Sequence, residues 1–396
     1  MRNPNPNRVC LLFLALVILS FSSKTHAQSD NWFITQLTDN KYNDGNPQIY
    51  GLNVVWIGDS EIFFYDGNTT TRITDNNYED SFLQIYGPNV VWHGYDGNDY
   101  EIFFYDGNTT TQLTDNSYDD RRPQIYGSNI VWEADDGNDS EIFFYDGNMT
   151  TQITDNDYQD GFARIHDSNV VWQGDDVNSI EIFLYDGNAT TQITDNRNSD
   201  YWPQIYNPNV VWQGHDGNDY EIFFYDGNTT TQLTNNNYHD LDPQIYGLNI
   251  VWEGGEGEIF FYDGNTTTQI TNNGYYDGSP RIHGSNVVWV GSVDHHDFEI
   301  FFYDGNTTTQ LTDNNYDDKN AQIYGSNIVW EAKGEIFLAL KCENSLSVDL
   351  NSDCKIDFTD FALLGDAWIA YYDFFDLAML ADEWLQCDYP LEQACW

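Results

Sequence analysis

Tyr225-Asp-Gly-Asn-Thr-Thr-Thr-Gln-Leu-Thr234 recurs letter for letter at 105–114 and 303–312 and, with one or two changes, at 65–74, 145–154, 185–194 and 262–271. The stretch belongs to a unit of about 40 residues, a period shared by the blades of propellers. In the first full unit Gln48-Ile-Tyr50, Asn53-Val-Val-Trp56, Glu61-Ile-Phe-Phe-Tyr65 and Thr71-Arg-Ile-Thr74 are separated by turn residues, which predicts four short strands. Tryptophans at 56, 92, 132, 172, 212, 252, 289 and 330 count eight units. Val-Val-Trp and Ile-Phe-Phe-Tyr are continuous apolar runs without the polar alternation of a half-exposed sheet, so both faces of each sheet must be covered. A radial stack of blades meets that demand. Tyr-Asp-Gly-Asn then reads as the tight turn from third to fourth strand, repeated because the blade is repeated.

The last unit has Gln322-Ile-Tyr, Ile328-Val-Trp and Glu335-Ile-Phe but runs into Lys341-Cys342 without a fourth strand. Phe33-Ile-Thr-Gln-Leu-Thr38 reads as a fourth strand with no unit before it. The expectation is an all-β, eight-bladed β-propeller of four-stranded antiparallel blades, closed by the N-terminal strand. At these residues the chain resembles the TolB-like, WD40-like propeller repeats of exported proteins over roughly residues 31 to 340, which implies the same fold.

Arg2 and Arg8, the apolar run Val9 to Phe21 and the small-residue site Thr25-His26-Ala27 read as a secretory signal peptide over 1–27. The run is too short to span a bilayer, so the mature chain is expected outside the cytoplasm, secreted or periplasmic, without a membrane span. The formal charge is −50; removing Arg2, Arg8 and Lys24 leaves 11 basic against 64 acidic residues, or −53. Such a surface excludes nucleic acid and anionic membrane as partners and attracts cations or basic protein patches. The aromatic content of 16% marks an ordered core, since acidic disordered chains are poor in aromatics. Each Tyr-Asp-Gly-Asn turn also spells an Asn-x-Thr sequon, open to glycosylation only in a host that modifies exported proteins.

The units differ mainly after the tryptophan and before the first strand, two connections that emerge on one end of the ring. Variation on one face is what a repeat protein shows at its binding face, although longer loops also drift more. The segment leading into the innermost strand carries Phe82, Arg121, Arg122, Phe162, Tyr201, Trp202 and Lys319, which makes these the candidate ligand-binding residues around the axial channel. A Glu opens every third strand, from Glu61 to Glu335, beside Asp and Asn of the preceding loop, as in Asp96-Gly-Asn98-Asp-Tyr-Glu101. That pattern fits either a cation site or polar capping of an acidic rim. The histidines share no metal-ligand spacing, the pair His295 and His296 beside Asp294 and Asp297 included, and neither a nucleophile elbow nor a phosphate loop is present.

After Leu340 the repeat stops and Cys342, Cys354, Cys387 and Cys395 begin, three pairings being open. Asp357–Trp368 aligns with Asp373–Trp384 at a 16-residue offset, and both read as short helices. Asp349, Asn351, Asp353, Asp357 and Asp360 stand at positions 1, 3, 5, 9 and 12 of a calcium loop, with the carbonyl of Lys355 at position 7 and Cys354 where such loops carry Gly. These residues resemble a dockerin repeat, which implies a small α-helical, Ca2+-binding module over 341–396 and a cohesin-like or cell-surface partner. Over 28–340 the propeller would present its variable face to a protein or polysaccharide ligand. The functional expectation is therefore an exported, non-enzymatic binding protein held in an extracellular assembly; the alternative is a propeller-type carbohydrate-active enzyme, a polysaccharide lyase or hydrolase.

Overall fold

The computed structural model describes residues 27–29, 32–76, 78–293 and 297–341. Every regular element among them is a β-strand, gathered into eight antiparallel sheets, seven of four strands and one of five. In blade three, for example, Asp120–Tyr126 is innermost, followed outward by Asn129–Asp135, Ser140–Tyr145 and Thr150–Gln152. The eight-bladed propeller expected from the repeat is thus observed. Among the described residues no helix is long and apolar enough to cross a membrane. Residues 1–26 of the expected signal peptide, all five cysteines, the calcium loop and the dockerin-like helices fall outside the described residues, whereas Ala27, the last residue of the expected signal peptide, is described.

The apolar runs are continuous because each blade is sandwiched between two others. Val55, Ile62 and Phe64 of blade one pack against Leu83, Val90 and Trp92 of blade two, and each further apolar cluster joins neighbouring blades in the same way. Each repeat tryptophan is almost wholly buried and lies parallel to the phenylalanine facing it in register, as Trp56 does to Phe63 at 5.8 Å. Truncating one such side chain to Ala would cost about 3–5 kcal/mol. In seven blades the indole N–H donates to a buried Asp at the start of the innermost strand, as Trp212 does to Asp200 at 3.0 Å. The indole thereby meets its one polar requirement inside the core.

The latch closes as the strand count requires: Trp32–Gln36 pairs antiparallel with Glu335–Lys341, Trp32 opposite Lys341. Trp32 is buried and meets Phe302 of blade seven edge-on at 4.9 Å. The sequence did not announce a fifth strand in this blade, yet Ala27–Ser29 folds back on Trp32–Gln36 and covers its outer edge. The Tyr-Asp-Gly-Asn turns place their glycines at φ near +90°. The preceding Asp caps the turn, Asp106 Oδ1 accepting from the N–H groups of Asn108 and Thr109.

Candidate functional site at the axial mouth

Of the residues expected to ring the axis, the four bulge-position and three neighbouring residues do not lie in the loops entering the innermost strands but within those strands. Each strand begins three or four residues before its Gln-Ile-Tyr run, and a bulge interrupts the register between the two parts, for example between Arg121 and Gln124. The extra residue takes a left-handed backbone in all eight blades: Asn46, Phe82, Arg122, Phe162, Trp202, Asp242, Ser279 and Asn320 have φ between 51° and 56°. That conformation is costly for bulky residues. It is held in most blades by a clamp from the preceding one, the side chain just after the repeat tryptophan. The N–H of Arg122 donates to His93 Nδ1 at 3.2 Å, that of Trp202 to Gln173 at 2.9 Å, that of Asp242 to Gln213 at 3.0 Å, and that of Phe162 to Glu133. Asn46 closes the circle on Glu331 at 2.8 Å.

The bulge turns the third residue out. Phe82 is 57% and Trp202 43% exposed, and the Trp202 backbone is held by Gln173. Phe82 rests on the His93 ring at 5.0 Å, and Arg122 lies over Phe162 at 4.9 Å while its guanidinium donates to Glu133 at 2.9 Å. Arg121 lies over Tyr100 at 4.5 Å and pairs with Asp119 at 2.7 Å. A groove of about 620 Å³ runs beside both arginines, lined also by Tyr118, Glu133 and Ser140. The structure therefore gathers Phe82, Arg121, Arg122 and Phe162 on blades two to four, joined by His93, Tyr100 and Glu133. Tyr201 and Trp202 follow on blade five, where Tyr201 meets Tyr220 edge-on at 6.1 Å. Lys319 stands apart on blade eight, paired with Asp317 at 3.0 Å beside a smaller groove that contains Glu331 and Lys333.

Sequence reasoning missed the part His93 plays. Its Nε2 lies 2.7 Å from Ser81 Oγ, a spacing that invites a nucleophile-and-base reading. Burial, and then the charges of Arg121 and Arg122, push its pKa down to about 4, so the ring is neutral at ordinary pH. Nδ1 faces the Arg122 N–H and must accept, which puts the proton on Nε2. The imidazole thus donates to Ser81 and does not activate it.

Deeper along the same strands, the Gln of Gln-Ile-Tyr is replaced by Arg164 in blade four and Arg281 in blade seven, and the Tyr by His166 and His283. Burial pushes the pKa of Arg164 down to about 10, opposed by Glu133 and assisted by Arg281. At the ends of the innermost strands Tyr50, Tyr86, Tyr126, His166, Tyr206, Tyr246, His283 and Tyr324 form a closed collar, each ring centroid 4.3–4.7 Å from the next. Burial and hydrogen bonds to neighbouring tyrosines push the Tyr50 and Tyr246 hydroxyls above their usual range.

The glutamates opening the third strands have a structural duty in every blade. One oxygen accepts the N–H of an Asn in the turn toward the next blade, as Glu101 does from Asn116 at 2.8 Å and Glu335 from Asn40 at 3.2 Å. The capping reading of this rim is thus correct for that oxygen. Asp294, His295 and His296 lie outside the described residues, as do Asp349, Asn351, Asp353, Lys355, Asp357 and Asp360.

No family model and no curated protein matches the chain. Solved structures do. The computationally designed protein Ika8 superposes with a TM-score of 0.57 at 15% identity, over 77% of this chain and 98% of the other. The β-propeller domain of the Trilobed protease from Pyrococcus furiosus follows at 0.51 and 13%, over 69% and 98%. A puromycin-hydrolyzing peptidase from Mycobacterium tuberculosis matches at 0.52 and 12%, over 73% of this chain but 57% of its own. Structural neighbours also include a putative TolB from Agrobacterium tumefaciens, at 0.37 and 12% over 48% and 80%. At these identities the likeness is one of fold. It corrects the expectation of a non-enzymatic binding protein: the same propeller occurs in peptidases, so possessing it does not mark a chain as a pure binder. The matched part of the peptidase is its propeller, and its catalytic domain is not covered.

Proposed function

We propose that this propeller is the polypeptide-handling part of a peptidase system, engaging extended chain segments at its axial mouth while a catalytic domain other than the propeller cleaves them. The observation that carries this reading is the presentation of Phe82 and Trp202, bulky and exposed side chains on backbones fixed in left-handed bulges. An aromatic anchor that is rigid before binding forfeits little entropy on contact, which is the condition for a strong hot spot. The occurrence of the fold in peptidases supports polypeptide as the ligand class. With a formal charge of −50, the ring attracts basic segments by long-range steering.

Fluorescence anisotropy with a labelled, unfolded, lysine-rich polypeptide tests this. The wild-type chain should bind, and Phe82→Ala with Trp202→Ala should weaken binding at least about tenfold, since anchors are worth roughly 1–4 kcal/mol. The melting temperature should stay unchanged. Absence of binding, or equal binding by the double variant, overturns the mouth as the site; peptide-bond hydrolysis by the purified chain alone overturns the division of labour.

A further inference from the structure

In five blades the capping glutamate uses one oxygen and the other is buried without a partner, Glu61, Glu101, Glu141, Glu221 and Glu258, and in three of these a second buried carboxylate stands beside it. Glu101 of blade two, Glu141 of blade three and Glu221 of blade five are fully buried, and the Oε2 of each meets no donor. Two residues earlier stands an Asp that is itself more than nine-tenths buried: Asp99, Asp139 and Asp219 are 9%, 6% and 7% exposed. Each of these also has an unpartnered oxygen, and Asp139 has two. A third carboxylate, from Asp96, Asp136 or Asp216, completes each group, and the three ligand atoms lie within 4.8 Å of one another. Negative charges brought together out of water repel unless something neutralises them.

We propose that each of these three loops holds one divalent cation of calcium's class. The donors are oxygen only, which suits a hard cation. Two oxygens on one calcium ion at 2.3–2.6 Å are at most about 5 Å apart, so three oxygens within 4.8 Å of one another can all reach one such ion. The outermost Asp of each loop is already oriented: Asp96 Oδ1 accepts from Asn98 N–H at 2.8 Å and Asp216 Oδ1 from Asn218 N–H at 2.8 Å. Blade four supplies the comparison within the same chain. There Ser179 occupies the place of the buried Asp, and its hydroxyl donates to Glu181 Oε1 at 2.7 Å while lying 3.0 Å from the Asn196 carbonyl. The hydroxyl satisfies uncharged what the other three blades leave as facing carboxylates. The Asn196 carbonyl also shows where a backbone oxygen would join, its repeat counterparts being Asn116, Asn156 and Asn236.

Equilibrium dialysis of the full, chelator-treated chain against calcium decides the matter. The combined variant Asp99→Ser, Asp139→Ser, Asp219→Ser, which copies blade four, should bind three fewer ions per chain than the wild type, and Asp139→Ser alone one fewer. Any calcium held at the C-terminus is common to all and cancels. Ser179→Asp should gain an ion, which keeps the test independent of whether the combined variant folds. Calcium should raise the melting temperature of the wild type more than that of the combined variant. Equal stoichiometry in the wild type, Asp139→Ser and Ser179→Asp would overturn the proposal and mean that the facing carboxylates share a proton instead.

Discussion

Asp200 shows how much one side chain does in this fold. Its two oxygens accept the Trp212 indole N–H at 3.0 Å and the Asn196 amide at 2.8 Å, joining the core of blade five to the turn that enters it. Replacing it with Ala strands a buried donor, and Asp200→Ala should cost about 1–3 kcal/mol in urea denaturation. Asp200→Asn should cost less, because its carbonyl can still accept from the indole. Such a residue was hard to read from sequence: the repeat places an Asp before every innermost strand, but alternation does not say that it faces a tryptophan 12 positions on. The mouth residues were legible for the opposite reason. Phe82, Arg122, Phe162 and Trp202 are the bulky exceptions in a polar segment, and the left-handed bulge is where the chain tolerates exceptions, since the side chain points out of the packed layers.

Among the elements, the latch strand carries the clearest prediction. Deleting residues 28 to 38 removes Trp32 from its packing on Phe302 and leaves the edge of Glu335–Lys341 unpaired, an invitation to strand addition from another molecule. The truncated chain should melt lower and sediment as larger species, and Trp32→Ala alone should lose about 3–5 kcal/mol. Strand number, strand order and closure were legible because eight near-copies repeat one pattern and the missing fourth strand could be counted. The clamp between blades was not, because its two halves stand 29 residues apart and include His, Glu and Gln. The start of the innermost strand was misplaced for a related reason: a bulge breaks the alternation that a sequence reader relies on.

For the whole molecule, charge sets the pH response. Burial pushes Asp80, Asp160 and Asp200 up to about 6 from the ordinary 3.8, with smaller contributions from neighbouring carboxylates. A carboxyl group that holds its proton more tightly when folded adds stability at low pH, and that stability is lost as the pH rises through the folded value. Relief of self-repulsion acts in the same direction. In the presence of chelator the melting temperature should therefore rise by several degrees from pH 7.5 to pH 5 in a calorimetric scan. Below about pH 4 it should fall, as the turn aspartates Asp106 and Asp226, whose pKa values are lowered by backbone hydrogen bonds, become protonated. The latch also fixes an order in time. The Ile336 N–H donates to the Thr38 hydroxyl across 298 residues, so the latch strand, made before all seven complete blades, is the last to find its place. At about 5–20 residues per second it waits roughly 15 to 60 s with Trp32 unburied while seven blades assemble beside it, and only the completed eighth ends that exposure.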